Sequence, residues 1–149
     1  MLASTAVVGA TFLLPAYAGG DNDQRGEQTK LRASLTGPKQ VPGPGDADGR
    51  GRARITLKND QICFRLAWKN IEAPTAAHIH IGARTAAGPV VVLLMEVDGG
   101  LKAPVNRVGG CAPASADLIK AIQDNPRGYY VNIHNATFPS GALRGQLHR

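Results

Sequence analysis

Sulfur and aromatic residues are scarce in this chain: two cysteines, two methionines, one tryptophan and three each of tyrosine and phenylalanine among 149 residues. Met1 and Met95 form no methionine-rich tract of the kind used to carry Cu(I). Cys63 and Cys111 lack the Cys-x-x-Cys spacing of a zinc ribbon or a thioredoxin-like site. With few aromatics to stack bases and no recognition-helix pattern, the excess of 17 basic over 11 acidic residues is not a nucleic-acid signature. Solvated surface charge, or attraction to anionic small molecules or an anionic cell envelope, accounts for it. No nucleophile elbow is present, so hydrolase chemistry has no support. Asp46-Ala-Asp48-Gly49 lacks the rest of an EF-hand and reads as a solvated turn.

Charge is missing from one end. Residues 1–18 carry none, hold an apolar run from Val7 to Leu14, and finish Ala16-Tyr17-Ala18, small residues that fit a signal-peptidase cut before Gly19. Gly9 and Pro15 leave the run too short and broken to span a bilayer. A cleaved signal peptide is expected, with a retained anchor as the rival, although the usual basic start is absent. Residues 19–28 read as a polar, glycine-rich disordered lead-in, and residues 29–149 as one domain. Export to the periplasm or beyond follows. There, two cysteines read as one Cys63–Cys111 disulfide, whose loop of about 48 residues gives a stabilisation of about 3–4 kcal/mol.

Alternation dominates the domain. Leu31, Ala33 and Leu35 sit two apart, as do Ala53, Ile55 and Leu57, then Ile62, Phe64, Leu66 and Trp68, with Asn59-Asp60 as a hairpin turn. Gln40 to Gly51 is a loop punctuated by glycine and proline. Further strands are expected over Ala76–Gly82, Tyr129–Asn135 and Ala142–His148. The continuous apolar run Val90–Val97 reads as a strand buried on both faces, and Asp98–Gly110 as loop. One helix follows Ser115, its N-cap, with Asp117 in the first turn and Asn125-Pro126 as the stop. The expected fold is all-β, a Greek-key sandwich or barrel of about 7–8 antiparallel strands with one short helix.

The four histidines are placed informatively. In the run Ala77-His78-Ile79-His80-Ile81-Gly82, alternation sends Ile79 and Ile81 to the core and both imidazoles outward, about 6.5–7 Å apart at Cα. The same parity turns out Tyr130, Asn132 and His134 on one later strand, and Arg144, Gln146 and His148 on another. All four histidines are thus expected on the solvent face. A three-imidazole site with an open position suits copper or zinc; no acidic residue on these strand faces favours magnesium or calcium. Tyr130, Asn132 and Gln146 are candidates to orient the ligands.

The segments Ala77–Gly82, Gly88–Leu93, Gly128–His134 and Phe138–Leu147 resemble the CHRD domain family, named after chordin, and the likeness runs from about Thr29 to Leu147. It implies a secreted β-domain; the CHRD domains of animal chordin serve in extracellular protein binding. A local resemblance is to copper–zinc superoxide dismutases, Greek-key barrels in which a His-x-His strand and a later histidine hold copper. It implies that His78, His80 and His134 are copper ligands and that Arg144 is the catalytic arginine attracting superoxide. No further histidine lies between His80 and Cys111, so the bridging ligand and zinc site of those enzymes are missing. The implied protein is an exported copper-only superoxide dismutase, with His148 as a fourth ligand and superoxide as its small anionic substrate. A non-catalytic binding module or a copper-handling protein is the other reading. Oligomeric state is not legible.

Overall fold

The computed structural model describes residues 28–149, so the expected signal peptide (1–18) and all but the last residue of the lead-in (19–28) lie outside the described residues. Eight strands form one antiparallel sheet: β1 (Thr29–Thr36), β2 (Arg50–Leu57), β3 (Gln61–Lys69), β4 (Pro74–Ile81), β5 (Val90–Glu96), β6 (Arg107–Pro113), β7 (Tyr129–Asn135) and β8 (Leu143–Gln146). Their order is β5-β4-β7-β8-β1-β2-β3-β6. The sheet curls until its edges, β5 and β6, approach each other, giving a nearly closed barrel.

The alternation explains the core. Leu31 and Leu35 of β1, Ile55 and Leu57 of β2, Ile62 and Leu66 of β3, Ile79 of β4, and Val131 and Ile133 of β7 all point inward and are buried. Such burial stabilises by about 1.5–3 kcal/mol per large aliphatic side chain. Asn59-Asp60 turns the β2–β3 hairpin, with the Lys58 amide donating to the Gln61 carbonyl. Helix α1 (Ala116–Asp124) begins where expected: Ser115 caps it by accepting from the Leu118 amide at 3.3 Å, and Ile119 and Ile122 bury its apolar side.

Three expectations fail, on β6, β5 and Ile81, and the expected disulfide holds. β6 runs through Arg107–Gly110, which the sequence places in a loop; Gly109 and Gly110 hide the alternation, and only Val108 and Ala112 turn inward. The Cys63–Cys111 disulfide forms, joining directly opposed residues of β3 and β6. β5 is an edge strand with register shifts against β4, so Val92 and Leu94 are buried while Val90 and Leu93 are half-exposed. A strand at the edge needs no second covered face, which is why the apolar run misleads. Ile81, expected in the core, lies at the end of β4 and is 42% exposed.

Candidate metal centre

Strands β4 and β7 pair so that His78 lies opposite Asn132 and His80 opposite Tyr130, which places His134 diagonally beside His78. The ligand nitrogens of His78, His80 and His134 all lie within 4.8 Å of one another. Two of the three rings are oriented by main-chain carbonyls. His80 Nδ1 is 2.8 Å from the Gly88 oxygen and His134 Nδ1 is 2.9 Å from the Pro139 oxygen. A carbonyl only accepts, so both Nδ1 atoms carry the proton and both Nε2 atoms present a lone pair. His134 Nε2 faces His78 Nδ1 at 3.1 Å. His80 Nε2 is buried and has no hydrogen-bond partner.

That orphaned lone pair is the test of whether a metal fits. A buried unpaired acceptor costs about 1–3 kcal/mol, and the lone pair points to a ligand that accepts electron density. Burial lowers all three imidazole pKa values. His78 is pushed down to about 4 by desolvation, with His134 and His80 adding repulsion. His80 is lowered by burial against the opposing effect of its Gly88 hydrogen bond, and His134 likewise against that of Pro139. Neutral imidazoles are the metal-binding form, and the set suits copper or zinc.

The face that strand parity assigns to solvent is in fact roofed. Two loops fold over it, 82–89 between β4 and β5 and 40–49 between β1 and β2. Arg144 on β8 donates from Nη2 to the Ala83 and Ala86 carbonyls at 2.7 and 2.8 Å, and Gln146 donates to the Gly82 and Arg127 carbonyls at 2.6 and 2.9 Å. Asn132 donates to Gln40 Oε1 at 2.9 Å, and Gln40 donates in turn to the Ser140 carbonyl. His80 is 8% exposed, Asn132 2% and Arg144 1%, while His78 and His134 stay half-exposed at the site's open side.

Tyr130 joins the metal cluster to the arginine. Its ring stacks on His80 with centroids 4.7 Å apart and planes 9° from parallel. The Arg144 guanidinium carbon lies 3.5 Å from the same ring's centroid. His80 comes from β4 and Arg144 from β8, the two neighbours of β7, so Tyr130 is held between them. Arg144 also lines a cavity of about 510 Å³ with Lys39, Arg84 and Arg127.

Two sequence expectations need correction here. Arg144 is not an exposed charge at the mouth of the site; it is buried, fastened to the 82–89 loop. His148 keeps the expected outward parity but stands apart from the three-histidine cluster. It bridges to Arg32 of β1, and because Tyr130 pairs with Gln146, His148 extends past the end of β7. Gln40 and the Gly88 and Pro139 carbonyls went unnoticed in the sequence. Loop residues carry no periodicity, and a carbonyl has no letter. The one hint was glycine: at Gly141, with φ 133°, a Cβ would sit 2.5 Å from Asn132 Oδ1 and 2.6 Å from Gln40 Oε1.

No curated protein and no solved structure matches the chain. The CHRD domain model matches residues 31–147, from within β1 to just past β8, with all three clustered histidines and both cysteines inside it. The chain belongs to the CHRD domain family.

Proposed function

We propose that this is an exported copper protein whose three-imidazole centre dismutates superoxide. The observation that carries the reading is the buried, unpartnered His80 Nε2, converging with His78 and His134. The disulfide agrees with an oxidising compartment. The chemistry that bound copper supplies is one-electron transfer, by which two superoxide anions and two protons become oxygen and hydrogen peroxide.

The chain's own residues do the rest. Gly88 and Pro139 fix the tautomers of His80 and His134, so each presents Nε2 without rearrangement. Tyr130 holds the plane of His80, and Arg144 braces Tyr130 from its other face. Arg144 is therefore a positioning residue. Positive potential to draw in an anion comes from Lys39, Arg84 and Arg127 at the neighbouring cavity as well as from Arg144 itself. The burial of Arg144 also favours a second reading, in which the metal stabilises a non-catalytic module, because its guanidinium is spent on the 82–89 loop and the Tyr130 ring.

One experiment separates them. The mature chain is loaded with copper or with zinc, and bound metal and superoxide removal are measured together. About one copper per chain with rapid dismutation, absent from the zinc form and from His80→Ala, is the expected result. Stoichiometric metal without turnover establishes the module instead. Retention of copper by His80→Ala removes the site.

A further inference from the structure

Strands β1, β2, β3 and β6 carry eight of the chain's 17 basic residues and none of its 11 acidic ones. Strands β4, β5, β7 and β8 together carry one basic residue, Arg144. All eight cations on the first half are exposed, because the inward positions of those strands are filled by the apolar core.

Register makes the arrangement unusual. Arg32 lies directly opposite Arg54, and Arg54 directly opposite Arg65, so three guanidinium groups stand side by side across three strands. In the row on one side, Arg52 and Arg107 both face Ala67 of β3; in the row beyond it Arg50 faces Lys69. Rows are about 6.6–6.8 Å apart and strands about 4.8 Å apart. Like charges directly opposite each other on a sheet are destabilising. Among the described residues none of these cations has an acidic partner; the ion pair found there is Lys120–Asp124 on the helix.

We propose that this face binds an acidic polysaccharide outside the cytoplasm. A two-dimensional lattice of cations matches a polymer with regularly repeated anionic groups, where a single small anion would meet only one or two of them. Six of the eight are arginines, whose planar fork holds carboxylate or sulfate through paired hydrogen bonds. Two grooves lie between these side chains, one past Arg32 and Arg54 to the disulfide, the other past Arg65 and Arg107. The face offers no aromatic on which a nucleic-acid base would stack. It also has no apolar wedge for a bilayer: the exposed large hydrophobics, Ile81, Val90, Leu93 and Val105, belong to other elements. The Cys63–Cys111 bond at the edge of the lattice belongs to the oxidising compartment in which such polymers are found.

Alginate, a linear polyuronate, is the probe, titrated into the mature chain at low and at raised salt, with neutral dextran and anionic phosphatidylglycerol vesicles alongside. Wild type is expected to bind alginate, to lose affinity as salt rises, and to ignore dextran. Arg54→Glu with Arg65→Glu should weaken binding by about tenfold or more. Lys102→Glu with Lys120→Glu, an equal change of net charge away from the lattice, should weaken it less than about twofold. The pair Arg54→Gln and Arg65→Gln, which removes repulsion without introducing acids, repeats the measurement should the glutamates disturb folding. Equal weakening by the two charge reversals overturns the proposal, as does absence of alginate binding or tighter binding to the vesicles than to alginate.

Discussion

On β4, β7 and β8 the outward residues are roofed by loops; on β1, β2, β3 and β6 they stand in water. Both halves follow the same two-residue alternation over one core, and both place polar side chains outside it. Loop length decides the difference. The β2–β3 hairpin closes through Asn59-Asp60 and leaves its strands bare, whereas the β1–β2 and β4–β5 connections are long enough to fold back over the sheet. Under a roof, imidazole, amide and guanidinium groups become fixed, desolvated and neutral where they can be. Without one, arginines remain hydrated and charged.

That contrast can be broken in several places. The largest effect is expected on the bare half: replacing Cys63 and Cys111 by serine should cost about 3–4 kcal/mol of unfolding free energy. The histidine cluster lies on other strands, so metal stoichiometry should be unchanged; denaturant titration with metal analysis checks both. On the roofed half, Arg144→Ala should cost about 2–3 kcal/mol, since two charged hydrogen bonds to the 82–89 loop are lost. It should also lower metal affinity by about 10–100-fold, as loss of an orienting partner does. An Arg144→Ala protein with wild-type metal affinity would show that Tyr130 needs no brace.

Acid should act on the roofed half alone. Below about pH 6.5 the imidazoles of the unfolded chain take up protons, while folded His78 resists until about pH 4. The unfolded chain then binds more protons, so the metal-free protein should lose stability as pH falls through that window. Melting temperature against pH tests this; a flat profile between 6.5 and 4 would mean the cluster opens to solvent. The smallest effect should be favourable: Arg54→Gln relieves repulsion from Arg32 and Arg65 and should raise stability by a few tenths of a kcal/mol, or about 0.2–1. A loss of stability there would show that the arginines are compensated.

The core and the outward face of the three clustered histidines were legible because they follow parity along a strand, while the hairpin, the helix with its Ser115 cap and the disulfide were legible from turn residues, capping residues and the only two cysteines. What alternation cannot report is anything lying above the sheet or beyond a strand's end. His148 has the right parity but lies past the end of β8. Arg144 has the right face and a loop on top of it. β6 vanished behind Gly109 and Gly110, although Cys111, opposite Cys63, marked its place.

The roof is attached mainly by its main chain. Arg144 and Gln146 grip the carbonyls of residues 82, 83 and 86, and His80 and His134 grip those of residues 88 and 139. A carbonyl looks the same whatever letter stands at its position, so Ala83 and Ala86, and the ungripped Thr85 and Ala87, are free to drift over generations without loosening the site. The strands cannot drift in this way, since each gripping side chain is written there. Variation between lineages should therefore gather in the covering loops while the centre beneath them stays intact, with exceptions at Gly45, Gly49, Gly88 and Gly141, where a Cβ would collide, and at Gln40, which holds Asn132 through its own side chain.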